Sequence, residues 1–480
     1  MPRCDLVIKN ATLLDGLGSA PMSGGVAVQA GRIVALGAVD DWTSEQIIDA
    51  EGAWLAPGFI DVHTHYDQAV LDQPDLPFAI TQGVTSIIVG NCGISLAPLN
   101  RPNDLPAPLG LLGVKENYQY SCFTDYFTKL TQARPALNIG VLAGHGTLRA
   151  RVMSDTDRAA DESEIGQICA LLDEALEAGV LGLSTGLAYP VARNARTQEV
   201  IAIASRLAAF PGARYVTHMR NERDEVVEAV EETLKIGRDA GVPVVLSHHK
   251  CIGRHNFGRS QDTLALIDLA LKGQDVAMDQ YPYDASSTVL IPEMVGHADR
   301  VLIAVSETMP EMAGRDLSEV AAEMGCDIQE AARRLSPGVG IYFQMSEEDI
   351  ERIMAHPRVM IGSDGIPGPN AHPRLWGSFP RVLGRYVREK GVLSLPEAIR
   401  RMTSLPAQVF GLARRGRLQT GFQADLVLFD ADKVIDRASY AEPTEPSEGI
   451  LDVFVNGEHS LHNGQGLKAR AGQILRRTGT

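Results

Sequence analysis

Short apolar runs that end in glycine, histidine or aspartate recur along the middle of the chain, separated by longer stretches of helical periodicity. The runs at 58–63, 85–90, 138–144, 180–185, 214–218, 243–248, 275–281 and 359–363 have the length and β-branched content of strands. Between two of them, 223–240 places Val226, Val227, Val230 and Leu234 on one face of an amphipathic helix and leaves its Glu and Asp residues as a solvated face. Eight strands alternating with helices predict an α/β protein, a (β/α)8 TIM-like barrel. The connection from the seventh strand to the eighth is too long for one helix. Residues 287–343 within it carry charged helical segments of their own, such as 316–323, and are expected to form an inserted subdomain or lid.

The two ends are patterned differently. Segments 6–10 and 26–37 look like short strands separated by glycine turns, and 421–430 and 453–458 repeat that style. A small β domain built from residues 1–56 and 413–480 follows, with the barrel occupying 57–286 and 344–412.

Composition narrows the function. The 480 residues exceed one ordinary core, and 45% hydrophobic with 22% charged residues is a globular balance. A formal charge of −16 argues against nucleic acid or an anionic membrane as partner and leaves a small molecule. No apolar stretch reaches the ~20 residues that span a bilayer, and Met1-Pro2-Arg3-Cys4-Asp5 lacks the apolar core of a secretory signal, so a cytoplasmic location is expected. The six cysteines are scattered without CxxC pairs, as reduced thiols are. Nothing in the sequence marks the oligomeric state.

The strand ends carry the chemistry. His63 and His65 stand one residue apart where the first strand finishes, and positions i and i+2 face the same side, so both can face one cation. Cys92, His218, His248 and Asp364 stand at later strand ends, which in a barrel converge on one mouth. Cys92, His218 and His248 make a three-ligand set of the kind a catalytic zinc uses while keeping one position open. Of the pair His248-His249, His248 is taken as the ligand, since Lys250 shares its face and His249 points the other way. A carboxylate at Asp364 can take a proton from metal-bound water during attack and hand it to the leaving nitrogen.

The segments Gly58-Phe59-Ile60-Asp61-Val62-His63-Thr64-His65, Gly90-Asn91-Cys92-Gly93, Thr217-His218-Met219-Arg220-Asn221-Glu222, Leu246-Ser247-His248-His249-Lys250, Tyr281-Pro282-Tyr283 and Gly362-Ser363-Asp364-Gly365 together resemble the amidohydrolase superfamily. Within it they resemble the D-aminoacylase, or N-acyl-D-amino-acid deacylase, family, over almost the whole chain. The resemblance implies a tight zinc site of Cys92, His218 and His248, the cysteine standing where other amidohydrolases often use a carboxylated lysine or a glutamate. It implies a weaker second site of His63, His65 and Asp364, and a small β-sandwich packed from the two terminal segments beside the barrel; one zinc is taken as sufficient for turnover. It also implies hydrolysis of N-acyl-D-amino acids to a carboxylate and a free D-amino acid, with Asp364 as the catalytic acid-base and Lys250 as a substrate-binding lysine.

The substrate's α-carboxylate needs cations or hydroxyl donors. Lys250, Tyr283, Ser287 and Arg374 lie on segments expected to border the mouth, with Arg300 on the insertion as a further cation. Several cations on an acidic protein suit a second carboxylate, as in N-acyl-D-glutamate. Two other readings stay open: a cyclic-amide hydrolase or deaminase of the same superfamily, and a serine hydrolase using Ser184, because Gly182-Leu183-Ser184-Thr185-Gly186 matches the G-x-S-x-G elbow.

Overall fold

The computed structural model describes residues 2–368 and 370–477. Eight short strands take the places that the apolar runs assign to them: β1 (Phe59–Asp61), β2 (Val84–Val89), β3 (Asn138–Val141), β4 (Gly182–Gly186), β5 (Arg214–His218), β6 (Val244–Leu246), β7 (Val276–Gln280) and β8 (Val359–Ile361). Each pairs in parallel with the next, β3 reaching β4 through its continuation Ala143–Gly144. The ring closes at a bridge between Thr64 and Gly365, where Asp364 donates its N–H to His63 O at 2.8 Å and His65 donates to Gly365 O at 3.1 Å. Asp61 reinforces this seam by accepting the Ser363 N–H at 2.9 Å. The contacts that close the barrel therefore also fix three candidate site residues relative to one another.

Period-2 alternation sorts the side chains of the strands. Ile60, Ile88, Leu142, Leu181, Val216, Val245, Ala277 and Met360 form one apolar layer with Leu405, Val409 and Phe410. Their neighbours, among them Ile87, Ile139, Leu183, Tyr215, Val244 and Ile361, join the core shared with the helices.

Strands from both ends of the chain make one continuous nine-stranded sheet. In it Leu6–Leu13 pairs in parallel first with Gln46–Asp49 and then with Trp54–Pro57, on either side of a bulge between Ile8 and Ala11. A strand that changes partners at a bulge turns a sheet over its own core, here Leu6, Ile8, Leu13, Ile33, Leu426 and Phe454. The extent of 413–480 expected for this unit is too long: Ile474–Leu475 leaves the sheet and pairs in parallel with Ile139 and Gly140 of β3. A two-residue strand is too short to show a period in sequence.

After β7, the strands Ala285–Val289, Arg300–Ser306 and Gly338–Phe343 form an antiparallel sheet of their own. The helices Leu317–Met324 and Ile328–Leu335 pack on it through Leu317, Val320, Leu335, Ile303 and Tyr342.

Candidate metal centre

Two positions beyond the apolar layer, the inward side chains become polar: His218 follows Val216 on β5, and Asp279 follows Ala277 on β7. The other site residues arrive through loops. β1 stops at Asp61, yet the bridge at Thr64 keeps the alternation alive, and His63 and His65 flank it. Cys92, His248 and Asp364 have left-handed backbones, with φ of 52°, 34° and 49°. That conformation costs a non-glycine residue about 1 kcal/mol, and three such residues meet at the barrel mouth. The turn at His248 also separates it from His249, whose Nε2 lies 2.9 Å from Thr263 Oγ1 in the protein interior.

The loop that carries Cys92 is held by β4. Ser184 Oγ accepts the Gly93 N–H at 3.0 Å and donates to Gly90 O. Gly93 approaches β4 so closely that a Cβ on it would sit 2.6 Å from Gly186 N. Ser184 is thus a buried strand residue hydrogen-bonded to backbone, with no histidine partner among the described residues. The serine-hydrolase reading fails here, because an elbow serine stands exposed on a sharp strand-to-helix turn.

Three imidazoles crowd the Cys92 thiol: Sγ lies 3.2 Å from His63 Nε2, 3.3 Å from His248 Nε2 and 3.7 Å from His218 Nδ1. Asp364 Oδ1 is 3.2 Å from His65 Nε2 and 3.4 Å from His63 Nε2. The donor atoms form two overlapping clusters, His63, His65, Cys92 and Asp364, and Cys92, His218 and His248, within each of which all lie within 4.8 Å of one another. A zinc with Zn–S near 2.3 Å and Zn–N near 2.0 Å has tetrahedral edges of about 3.5 Å, the spacing these donors already show.

Carboxylates stand behind the rings. His63 Nδ1 is 3.1 Å from Asp279 Oδ1, which also accepts the His248 N–H at 2.8 Å. One side chain, Glu222, spans the other two, with Oε1 3.1 Å from His248 Nδ1 and Oε2 3.6 Å from His218 Nε2. Lys250 Nζ neutralises Glu222 at 2.8 Å. Such carboxylate–histidine pairs fix the tautomer that turns the remaining nitrogen toward a metal. Neither Glu222 nor Asp279 was singled out from sequence. Glu222 stands four residues after His218 in sequence, and the inward parity of β7 marks Asp279.

Electrostatics favours the ionised forms of the thiol and the carboxyls. Burial alone would raise the Cys92 thiol, but His63, His248 and His218 hold it well below its ordinary value, as thiolate. Burial likewise opposes charge on Asp364, but Arg374, His248 and His63 hold its carboxyl well below the usual carboxylate range. Burial is also outweighed at Glu222, first by Lys250 and then by His218 and His248, which keep it ionised. A thiolate and imidazoles that share carboxylate partners make a donor set suited to a borderline-soft divalent ion.

The centre opens into a cavity of about 200 Å³ lined by His65, His218, His248 and Asp364 together with Lys250, Arg220, Arg223, Tyr281 and Ser287. Lys250 and Ser287 are on the wall of this cavity. Tyr283 is not: its hydroxyl turns away to Asp436 Oδ2 and Pro373 O, and Tyr281, two residues earlier, lines the cavity instead. Arg374 is fully buried beside the centre rather than on the cavity wall, with Nη1 2.9 Å from Asp364 Oδ2 and Nη2 donating to Ser287 O at 3.0 Å. Arg300 is exposed, pairs with Asp316 at 2.8 Å and is absent from the cavity wall. Strand parity governs the tyrosines and a buried ion partner governs Arg374, and neither is visible in residue type alone.

A third group, Asp452 with His459 and His462, lies in the terminal sheet, where Asp452 Oδ1 is 2.7 Å from both rings and ties one hairpin together.

Comparison with known proteins adds three findings. A family model described as "Amidohydrolase family" matches residues 46–460. D-aminoacylase of Alcaligenes xylosoxydans xylosoxydans is 46% identical over 475 residues, covering 99% of this chain and 98% of that protein, and N-acyl-D-glutamate deacylase of the same organism is 46% identical over 477 residues, covering 99% and 97%. The crystal structure of N-acyl-D-glutamate deacylase from Bordetella bronchiseptica, complexed with zinc and a phosphonate that mimics the tetrahedral intermediate, superposes with a TM-score of 0.96 at 45% identity, covering 99% of this chain and 100% of that one.

Proposed function

The chain belongs to the amidohydrolase family, and we propose that it is a zinc-dependent N-acyl-D-amino-acid deacylase that hydrolyses the linear amide to a carboxylate and a free D-amino acid. The observation that carries this reading is the convergence of Cys92, His218, His248, His63, His65 and Asp364 on one centre that opens, through His65, His218, His248 and Asp364, into a cavity also lined by Arg220, Arg223 and Lys250. A free α-carboxylate requires such cations, whereas the neutral ring of a cyclic amide or a nucleobase does not, which favours this reading over the hydantoinase-like and deaminase alternatives.

Cys92, His218 and His248 would hold the tight zinc, and His63, His65 and Asp364 a weaker second ion. When bound, zinc supplies Lewis acidity, polarising the amide carbonyl and lowering the pKa of water toward ~7. The chain's own residues do the rest. Arg374 anchors Asp364 Oδ2, which leaves Oδ1 facing the histidines. Asp364 takes the proton of the attacking water and returns it to the amide nitrogen, so that the amine departs neutral. Lys250 and Ser287 line the cavity within reach of the α-carboxylate.

The expected acidic side-chain preference finds its support in Arg223. Lys250 is paired with Glu222 and Arg220 with Glu232, but Arg223 has no carboxylate partner among the described residues, and its Nη2 is buried without a hydrogen bond. A half-buried guanidinium on the cavity wall with no internal anion suits a carboxylate on the substrate. N-acetyl-D-glutamate is expected to exceed N-acetyl-D-leucine in kcat/KM, with N-acetyl-L-glutamate inert. Arg223→Met should cut the glutamate-to-leucine ratio by about 10- to 10²-fold, the worth of a charged hydrogen bond of ~1.5–3 kcal/mol. Steady-state kinetics on these three substrates tests both statements; D-leucine preferred by the parent enzyme would remove the acidic preference, and indifference to D or L would remove the deacylase reading.

No helix among the described residues is long and apolar enough to cross a membrane. We place the enzyme in the cytoplasm on its six free cysteines, a pattern of reducing compartments.

A further inference from the structure

A second cavity, of about 590 Å³, adjoins the reaction cavity and shares His65, Leu111 and Ile366 with it. We infer that this cavity binds the acyl group of the substrate, and that the acyl group it takes is an uncharged hydrophobic chain longer than acetyl. The inference rests on the deacylase reading above and names the half of the substrate that reading leaves open.

The wall facing the insertion is built by its three-stranded sheet. Val339 stands opposite both Val289 and Val305 across the strands, giving an apolar stripe at one end of the sheet. Val339 packs with Leu302 and Ile341, whereas Ile303 and Tyr342 pack with the helices, so the stripe lies on the face turned away from them. Ser287 and Val289 are two residues apart on one strand and share a face, Ser287 lining the reaction cavity and Val289 the second. One surface thus passes from polar, at the centre, to apolar, away from it. Across the gap, a loop contributes Leu105 and Val114, the latter 58% exposed.

Charge separates the two cavities. Lys250, Arg220 and Arg223 line the first, which suits the carboxylates of the amino acid. Among the described residues lining the second there is no lysine or arginine, while Asp72 and Glu307 are present, so an acyl group ending in a carboxylate is repelled. The only orientation that satisfies both cavities puts the amino acid on the cationic side of the centre and the acyl chain on the valine side.

An acetyl group would leave this space almost entirely to water. A fully buried methylene is worth ~0.8 kcal/mol, about fourfold in kcat/KM, and half-burial along an open groove leaves about twofold, or ~50-fold over the six methylenes from acetyl to octanoyl.

The test is a series of N-acetyl, N-butanoyl, N-octanoyl and N-succinyl derivatives of one D-amino acid with zinc-loaded enzyme. The expected result is kcat/KM rising with chain length, ~50-fold by octanoyl on the same methylene scale, with succinyl no better than acetyl. Val339→Asp and, at the exposed rim, Val114→Asp are each expected to lower the octanoyl-to-acetyl ratio severalfold. A series that is flat or falls with length, as a protein-docking groove would give, overturns the acyl site while leaving deacylation standing. An unchanged ratio in both variants also overturns it. Hydrolysis of no member of the series overturns the deacylase reading and the acyl site together.

Discussion

Asp364→Asn is expected to lower kcat by about 10³-fold, within the 10²–10⁴ range that removal of a general acid-base costs, while zinc content stays near that of the parent. Cys92, His218 and His248 are untouched by the change, so the tight ion should remain. The substitution also strands a buried guanidinium: Arg374 has no exposure, and Asp364 Oδ2 at 2.9 Å is its carboxylate partner. Breaking one half of a buried ion pair costs about 3–5 kcal/mol, so some activity could be lost through unfolding rather than chemistry. The double variant Asp364→Asn with Arg374→Met separates the two effects. Thermal unfolding should recover most of the parent's stability and kcat should not recover. Recovery of kcat in the double variant would assign the proton transfers to another group.

Cys92→Ala is expected to reduce tightly bound zinc from about one per chain to less than about a tenth and to take amide hydrolysis to background, since a structural-type zinc binding energy of ~10–16 kcal/mol depends on the thiolate ligand. The geometry makes this residue the centre of the cluster: its Sγ touches the metal-facing nitrogens of three imidazoles, while Glu222 and Asp279 hold those rings from behind. Zinc stabilises only the folded form that binds it, so chelation should lower the parent's unfolding temperature and leave that of Cys92→Ala unmoved. Elemental analysis and melting curves with and without chelator read this out. Full zinc content in the variant would mean that the histidines and Asp364 hold the ion by themselves.

The barrel was legible in the sequence because its strands are short apolar runs with polar ends, a signal that survives without tertiary information. The eight runs found at 58–363 coincide with β1 to β8. His63, His65, Cys92, His218, His248 and Asp364 were legible for the same reason, since a residue at a strand end is placed by topology alone. Their direction was not. Cys92, His248 and Asp364 reach the mouth through left-handed backbones, and no periodicity encodes those. Glu222 and Asp279 are not legible, because they stand behind histidines, and a carboxylate in a loop or on a strand resembles many others until its imidazole partner is placed. The substrate residues divided along the same line: Lys250 and Ser287 sit beside fixed points of the fold, whereas Tyr283, Arg374 and Arg300 depended on parity and on partners distant in sequence. The terminal sheet shows the converse, with strands read easily from alternation and Ile474–Leu475 crossing to β3 unannounced.

X-ray absorption at the zinc edge of the loaded enzyme tests the central claim most directly, because it reports the atoms around the ion rather than the consequences of binding. One sulfur at about 2.3 Å with the remaining nitrogen and oxygen ligands at about 2.0–2.1 Å is the predicted shell, and the sulfur should vanish in Cys92→Ser. A shell of nitrogen and oxygen alone in the parent enzyme would contradict a centre built on Cys92.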